Sequence, residues 1–273
     1  MRRFIKITLL LLSVFIFSCS KSNTDYPNLI VLGHGGMGEK SLKYPISSKE
    51  SVQVCLQTEA NGSEVDVQIT KDSLLVCYHD EKLSSKTKCD LGYVNNYNWN
   101  EIESCVYSTF SGSKKQIALL SDVLQINSKQ KKTISLDCKL YDAQQSTDYV
   151  FIFERAVSRF ISDYSTKYNF IVEARDTLFL KNIKQKHPAT KCFFLAPNTS
   201  FLSYATLKNN LIDGYSLDVE SITKDEAIDA KNSGLLLMYW GCSRINQNKL
   251  ALELKADIIQ TDELNHLIRE QRN

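Results

Sequence analysis

Hydrophobic and polar positions follow two rhythms along the chain, and the rhythms take turns. Over residues 63–70, Val65, Val67 and Ile69 alternate with Glu64, Asp66 and Gln68, the period of two of a β-strand. Shorter extended runs are expected at 29–34 and 74–78. Residues 47–61, by contrast, open with Ser47 and Glu50 three apart, a capping box that predicts a helix. The pattern then predicts a helix at 119–126, a strand at 133–140 and a long helix at 143–164. Strands follow at 170–174, 192–196, 215–219, 235–240 and 257–261. Helices at 178–185, 201–211, 224–232 and 246–254 separate them, and a last helix closes the chain at 264–269. About eight β/α units in about 240 residues match the size and rhythm of a (β/α)8 barrel. A doubly wound open sheet shares that rhythm. No linker or break in composition divides the stretch, so residues 29–273 are expected to be one domain. Residues 81–116, rich in Asn, Ser, Tyr and Lys, form the longest irregular stretch, expected as a loop insertion at the active-site face of the barrel.

The first residues follow a different pattern. Arg2, Arg3 and Lys6 precede an apolar run over 7–17, broken only by Thr8 and Ser13, and Ser18-Cys19 comes next. A basic end, a short apolar run and a small residue before a cysteine describe a bacterial lipoprotein export signal, cut before Cys19, which would then carry the lipid. The alternative, an uncleaved anchor helix, is disfavoured because the run falls short of the roughly 20 residues a spanning helix needs. Residues 1–18 are therefore expected to be removed and 19–28 to be a tether. The protein would sit in the cell envelope, held to the membrane at Cys19 on the periplasmic or surface side.

This segment changes the meaning of the charge. The whole chain holds 33 Lys+Arg against 31 Asp+Glu, a formal +2. Residues 1–18 carry three of the bases and no acid, so the remainder holds 30 against 31. A near-neutral chain lacks the clustered positive charge of a nucleic-acid binder. With 43% hydrophobic and 23% charged residues it is expected to fold. Of the cysteines beyond Cys19, none form a CxxC pair, which disfavours a structural zinc site. Cys55, Cys77, Cys138 and Cys192 lie in apolar runs and are expected to be buried, whereas Cys89 and Cys105 are candidates for one disulfide.

Four of the ten glycines fall at 33, 35, 36 and 38. Gly33 to Ser41 nearly spells a phosphate-binding P-loop, but Glu39 places Lys40 one residue late and no helix follows directly, so nucleotide binding is not expected. The other reading is the mouth of a strand, with His34 among glycines that let a ligand approach the backbone. Glu64 and Asp66 share one face of their strand. On an exposed strand that pair would be a solvated face. A barrel strand has no solvated face, so paired carboxylates there call for a cation or a hydrogen-bond network. His79-Asp80 ends the next extended run, and Asp137 and Lys139 share a face of the strand at 133–140. Three carboxylates form a hard oxygen site suited to one Mg²⁺ or Ca²⁺. Two histidines supply acid–base groups near neutral pH. Together they suit metal-assisted displacement at a phosphodiester.

With these residues in place the chain resembles the glycerophosphodiester phosphodiesterase family. That family opens with HRG at the first strand end, then PENT, then GADxxExDVxxTKDGxxVxxHD. The counterparts here are His34-Gly35-Gly36, Pro45-Ile46-Ser47-Ser48, and residues 60–72 followed by His79-Asp80. Leu119 to Leu124 resembles the family's TLEEVL helix, Leu136 to Lys139 its IEIK strand, Trp240 the tryptophan of its seventh strand, and Ile259 to Asp262 its closing ITD. The resemblance implies a TIM barrel in which Glu64, Asp66 and Asp137 hold one divalent metal, Mg²⁺ or Ca²⁺. His34 and His79 would do the acid–base work, Lys139 would face the phosphate, and Trp240 would either stack on the substrate or simply pack. The implied substrate is a small phosphodiester, split into glycerol 3-phosphate and an alcohol. Three positions depart from the pattern: the phosphate-gripping arginine is Gly35, the glutamate of PENT is Ile46, and the third acid is Asp137 rather than Glu. The departures leave two other readings, a lipoprotein that binds phosphate ligands without turnover and a lyase that forms a cyclic phosphate. His187, His266 and the lysines between 181 and 186 are expected to be surface groups.

Overall fold

The computed structural model describes residues 26–108, 115–126, 130–142 and 146–271. The expected export signal, Cys19 and most of the tether lie outside the described residues. Tyr26, at the end of the expected tether, packs against the main hydrophobic core. Strand β1 (Ile30–Gly33) leads through the glycine turn to α1 (Lys49–Leu56) and β2 (Gly62–Ile69). An excursion follows, made of β3 (Leu75–Cys77), α2 (Trp99–Ile102), β4 (Ala118–Leu119) and α3 (Leu120–Val123). From β5 (Lys132–Cys138) the alternation is strict: α4 (Thr147–Tyr164), β6 (Tyr168–Ala174), α5 (Thr177–Lys186), β7 (Lys191–Leu195), α6 (Tyr204–Asn209) and β8 (Gly214–Asp218). It ends with α7 (Lys224–Asn232), β9 (Leu236–Cys242), α8 (Ile245–Glu253), β10 (Ile258–Thr261) and α9 (Leu264–Glu270).

Strands β1, β2 and β5 to β10 pair in parallel, and the β1–β2 pairing closes the ring into an eight-stranded barrel. This is the expected (β/α)8 architecture rather than an open sheet. The extended run at 74–78 is not a barrel strand. As β3 it pairs antiparallel with β2 and β4 and leaves the ring.

Alternation along each strand sorts the side chains. Val65, Val67 and Ile69 of β2, Tyr215 and Leu217 of β8, and Leu237 and Tyr239 of β9 join the core between sheet and helices. The helices answer with their own period: Tyr149, Phe153, Val157 and Ile161 of α4 recur every four residues, a single buried stripe. Phe153 meets Phe179 of α5 edge to face, with ring centroids 5.9 Å apart. The opposite strand faces point into the barrel, where Leu32, Ile171, Phe193, Met238 and Ile258 form a separate apolar cluster. Among the described residues no helix is long and apolar enough to cross a membrane.

The excursion is better ordered than its composition suggests. It has its own core of Val76, Tyr78, Leu83, Val94, Ile102, Cys105, Tyr107 and Ile117. Cys89 and Cys105 form a disulfide across it, and Cys55, Cys77, Cys138, Cys192 and Cys242 are free and buried. Three polar expectations need correction. Lys184 pairs with Asp213, and Lys186 with Glu154, rather than facing only solvent. His266 is largely buried, with Glu270 one helical turn away at 3.7 Å. His187 is half-buried and shares a 2.8 Å hydrogen bond with the Ser158 hydroxyl.

Candidate active site

The carboxyl ends of the barrel strands bring the expected residues to one mouth. Asp66 of β2 and Asp137 of β5 are register partners, so both carboxylates leave the sheet side by side, and Glu64 sits one inward position below. Oxygens of Glu64, Asp66 and Asp137 lie within 4.8 Å of one another. Glu64 Oε1 and Asp137 Oδ1 are buried without a hydrogen-bond partner among the described residues. Buried carboxylate oxygens are rarely left so. Two such atoms facing a third acid form a donor set with the hard-oxygen character of a Mg²⁺ or Ca²⁺ site.

The electrostatics of the cluster are uneven. Burial, then the charges of Asp66 and Asp137, raises the Glu64 pKa well above the ordinary carboxylate value. Asp66 goes the other way. Burial opposes its ionisation, but the Lys139 ammonium, both site histidines and the Ser47 hydroxyl bring it down to about 2. Lys139 Nζ lies 3.0 Å from Asp66 Oδ1 and 2.7 Å from Asp137 Oδ2. Despite burial, those two acids hold its pKa well above the ordinary lysine value.

His34 leaves the end of β1 with its Nδ1 2.9 Å from Asp262 Oδ1, at the end of β10. The same oxygen accepts from the Glu39 N–H at 3.0 Å. Burial disfavours the imidazolium, yet the Asp262 hydrogen bond and charge prevail and raise the His34 pKa above 6.5. His79 stands on the other side, its Nδ1 2.7 Å from Asp80 Oδ1. It lines a cavity of about 260 Å³ with Ile46, Tyr78, Lys86 and Tyr107. The excursion thus forms one wall of the mouth. Trp240 lies on the inward face of β9, in line with Met238, half-buried, with an indole N–H that has no partner among the described residues.

The glycine turn fits around these groups. The Gly35 N–H donates to Glu64 Oε2 at 2.6 Å, with φ of +50°. A Cβ on Gly35 would sit 1.9 Å from Ile46 Cγ1. Gly36, at φ of +94°, backs onto Ser51 of α1, where a Cβ would meet the backbone at 2.4 Å. The expected helix cap is displaced by one residue. Ser48 caps α1, while Ser47, at φ of +55°, turns its hydroxyl inward to donate to Asp66 Oδ2 at 2.8 Å. Lys40, the near-miss of the P-loop pattern, donates to the Ser243 carbonyl instead.

Every site residue expected from the described sequence is therefore at or beside this mouth. Others went unread. Asp262 appeared only as part of a strand motif, and nothing local linked it to His34, 228 residues away. Ser47 fits a helix-cap pattern in the sequence but serves Asp66 instead. Glu173 belongs to no motif in the sequence, but it lies on the inward face of β6 and is the register partner of Asp137. It accepts from Ser135 Oγ at 2.6 Å, Gln260 Nε2 at 2.5 Å and Ser216 Oγ at 2.7 Å. Burial, then the Asp137 charge, raises its pKa to about 7. Its signal was available as a charged pair two apart, Glu173 and Arg175, the spacing that picked out Glu64 and Asp66.

Residues 41–266, more than four-fifths of the chain, match the family model described as the glycerophosphoryl diester phosphodiesterase family. The match spans the three clustered acids and His79, and begins just after His34. A glycerophosphodiester phosphodiesterase from Caldanaerobacter subterraneus is 23% identical over 254 residues, covering 88% of this chain and 96% of the relative. The fold is similar to that of an Oleispira antarctica phosphodiesterase solved with the product sn-glycerol-3-phosphate, with a TM-score of 0.75 at 14% identity over 88% of this chain and 96% of that one. A glycerophosphodiester phosphodiesterase from Parabacteroides distasonis gives 0.68 at 17% identity over 89% and 96%.

Proposed function

Because the chain belongs to the glycerophosphoryl diester phosphodiesterase family, a family of phosphoric diester hydrolases, we propose that it hydrolyses glycerophosphodiesters with a divalent metal and two histidines, releasing glycerol 3-phosphate and an alcohol. The observation that carries the reading is the convergence of Glu64, Asp66 and Asp137, with two partnerless buried oxygens, between His34 and His79. In this reading Glu64, Asp66 and Asp137 hold one Mg²⁺ or Ca²⁺. The cation, when bound, supplies Lewis acidity at a phosphoryl oxygen.

The chain's own groups do the rest. Asp262 and Asp80 each occupy an Nδ1, which leaves Nε2 of both imidazoles for proton transfer. One imidazole takes a proton from the attacking water, and the other returns one to the leaving alkoxide. The raised pKa of His34 keeps it protonated nearer neutrality and suits it to the donating role. Lys139 holds Asp66 and Asp137 apart from each other's charge and lies where a phosphoryl oxygen would approach. Trp240, half-buried on the inward face of β9, offers its indole ring to the glycerol end. Cys19 carries the lipid that holds the enzyme to the envelope membrane.

Purified protein lacking residues 1–18 should release glycerol 3-phosphate from a glycerophosphodiester with Mg²⁺ or Ca²⁺ and stop on chelation. Turnover indifferent to chelator, or to His34→Ala, would sink the metal and histidine assignments. Phosphorus NMR showing a cyclic phosphate would replace hydrolysis with lyase chemistry. The missing Arg at Gly35 favours one other reading, binding without turnover, which calorimetry together with a prolonged incubation separates from catalysis. Radiolabelled fatty acid incorporated into wild type but not into Cys19→Ala tests the anchor.

A further inference from the structure

A phosphodiester entering this mouth brings negative charge toward three carboxylates, so beside the metal those acids would hold, its nonbridging oxygens call for a side-chain cation that is not already neutralised. Lys139 is shared by Asp66 and Asp137. Lys40 is turned away to the Ser243 carbonyl at 2.7 Å. A side chain on residue 35, where the resembled family carries its arginine, is blocked by Ile46. Lys86 lines the cavity beside His79, whereas Arg175 lines the one that holds Asp137 and Lys139 of the acid cluster. Arg175 follows the last residue of β6, two positions after inward-facing Glu173. Glu173 is the register partner of Asp137, which puts Arg175 level with Lys139, one strand spacing or about 5 Å away along the backbone. Arg175 shares a cavity of about 170 Å³ with Asp137, Lys139 and Tyr141. It is exposed and makes no hydrogen bond or ion pair with another described residue. Its charge does reach the mouth, since it acts on the Tyr141 phenol together with Lys139.

We infer that Arg175 is the phosphate-gripping residue of this chain. Its planar guanidinium donates two N–H groups to the nonbridging oxygens of the diester bound beside the acid cluster. The substitutions at Gly35 and Ile46 are then one coupled change: the clamp has moved from the turn after β1 to the turn after β6, and an apolar side chain fills the place it left. The assignment rests on the phosphodiesterase reading for its ligand, so its test separates binding from turnover.

Calorimetry with glycerol 3-phosphate and with inorganic phosphate, at saturating Mg²⁺, should show Arg175→Ala weakening both by about 10- to 100-fold, the range for a lost charge-assisted bidentate contact. Mg²⁺ affinity should not change, which a merely structural role would not guarantee. Arg175→Lys should recover part of the loss, and free guanidinium should partly restore kcat/KM in Arg175→Ala. Equal binding and turnover in wild type and Arg175→Ala would overturn the assignment while leaving the hydrolase reading intact. So would the same losses in Lys86→Ala with Arg175→Ala unaffected. Wild type that binds glycerol 3-phosphate through Arg175 but turns over no diester would sink the hydrolase reading and keep the clamp. Wild type that binds neither ligand would overturn both.

Discussion

At the amino ends of the strands the barrel interior is filled by Leu32, Ile171, Phe193, Met238 and Ile258. At the carboxyl ends of the strands stand His34, Asp66, Asp137, Trp240 and Asp262, with Glu64 one inward position below Asp66. Between them lies a layer of Ser135, Ser216 and Gln260 around the Glu173 carboxylate. The backbone is alike throughout, and only the inward-facing residues differ from one level to the next. The apolar floor contributes stability through burial and close packing. The mouth concentrates charge that the chain only partly offsets, and this is where chemistry has its groups. Stability and function are therefore expected to separate along the barrel axis.

The sharpest test sets one variant at each end against the other. His79 is 44% exposed at the mouth, so His79→Ala should lower kcat by about 10²- to 10⁴-fold, the usual worth of an acid–base group, while the melting temperature stays put. A large loss of melting temperature would show that the mouth also holds the barrel together. At the floor, Phe193 is fully buried. Phe193→Ala should cost about 3–5 kcal/mol, or roughly 6–20 °C in Tm for a domain of this size. Activity per folded molecule should survive at low temperature, and its disappearance there would erase the distinction.

A smaller effect should run in the opposite direction. Because the folded state raises the Glu64 pKa, it binds that proton more tightly than the unfolded chain does. Metal-free protein should therefore lose stability as pH rises from 4.5 toward the raised value. Glu64→Gln should remove that loss and raise the metal-free Tm at pH 7 by a few degrees, about 1–2 kcal/mol. It should also abolish the Tm increase that Mg²⁺ gives wild type. A metal-free Glu64→Gln less stable than wild type would mean that the Gly35 hydrogen bond outweighs the charge. The smallest effect concerns His34. Asp262 raises its pKa, so Asp262→Asn should move the His34 limb of the kcat/KM profile to lower pH, whether the histidine donates or accepts its proton. An unmoved limb would assign that titration to another group.

Much of this was legible before the fold. The alternation over β2 exposed Glu64 and Asp66 as a same-face pair, and the pattern of strands and helices identified the barrel, because both depend on neighbours two to four residues apart. The alternation could not tell that 75–77 pairs antiparallel and leaves the ring, since a strand's own period is the same either way. Nor could a capping pattern distinguish Ser48, which caps α1, from Ser47, which turns to Asp66.

What the sequence determined by itself was local: which segments extend or coil, which side chains share a face, and which residue types stand at the strand ends. Tertiary structure decided who meets whom across the closed ring. Closure places β1 beside β10, so Asp262 orients His34 from 228 residues away. The β2–β5–β6 register aligns Asp66, Asp137 and Glu173. The packing of Ile46 onto Gly35 leaves no room for a side chain at residue 35. Those contacts depend on strand register and barrel closure, which no local period encodes.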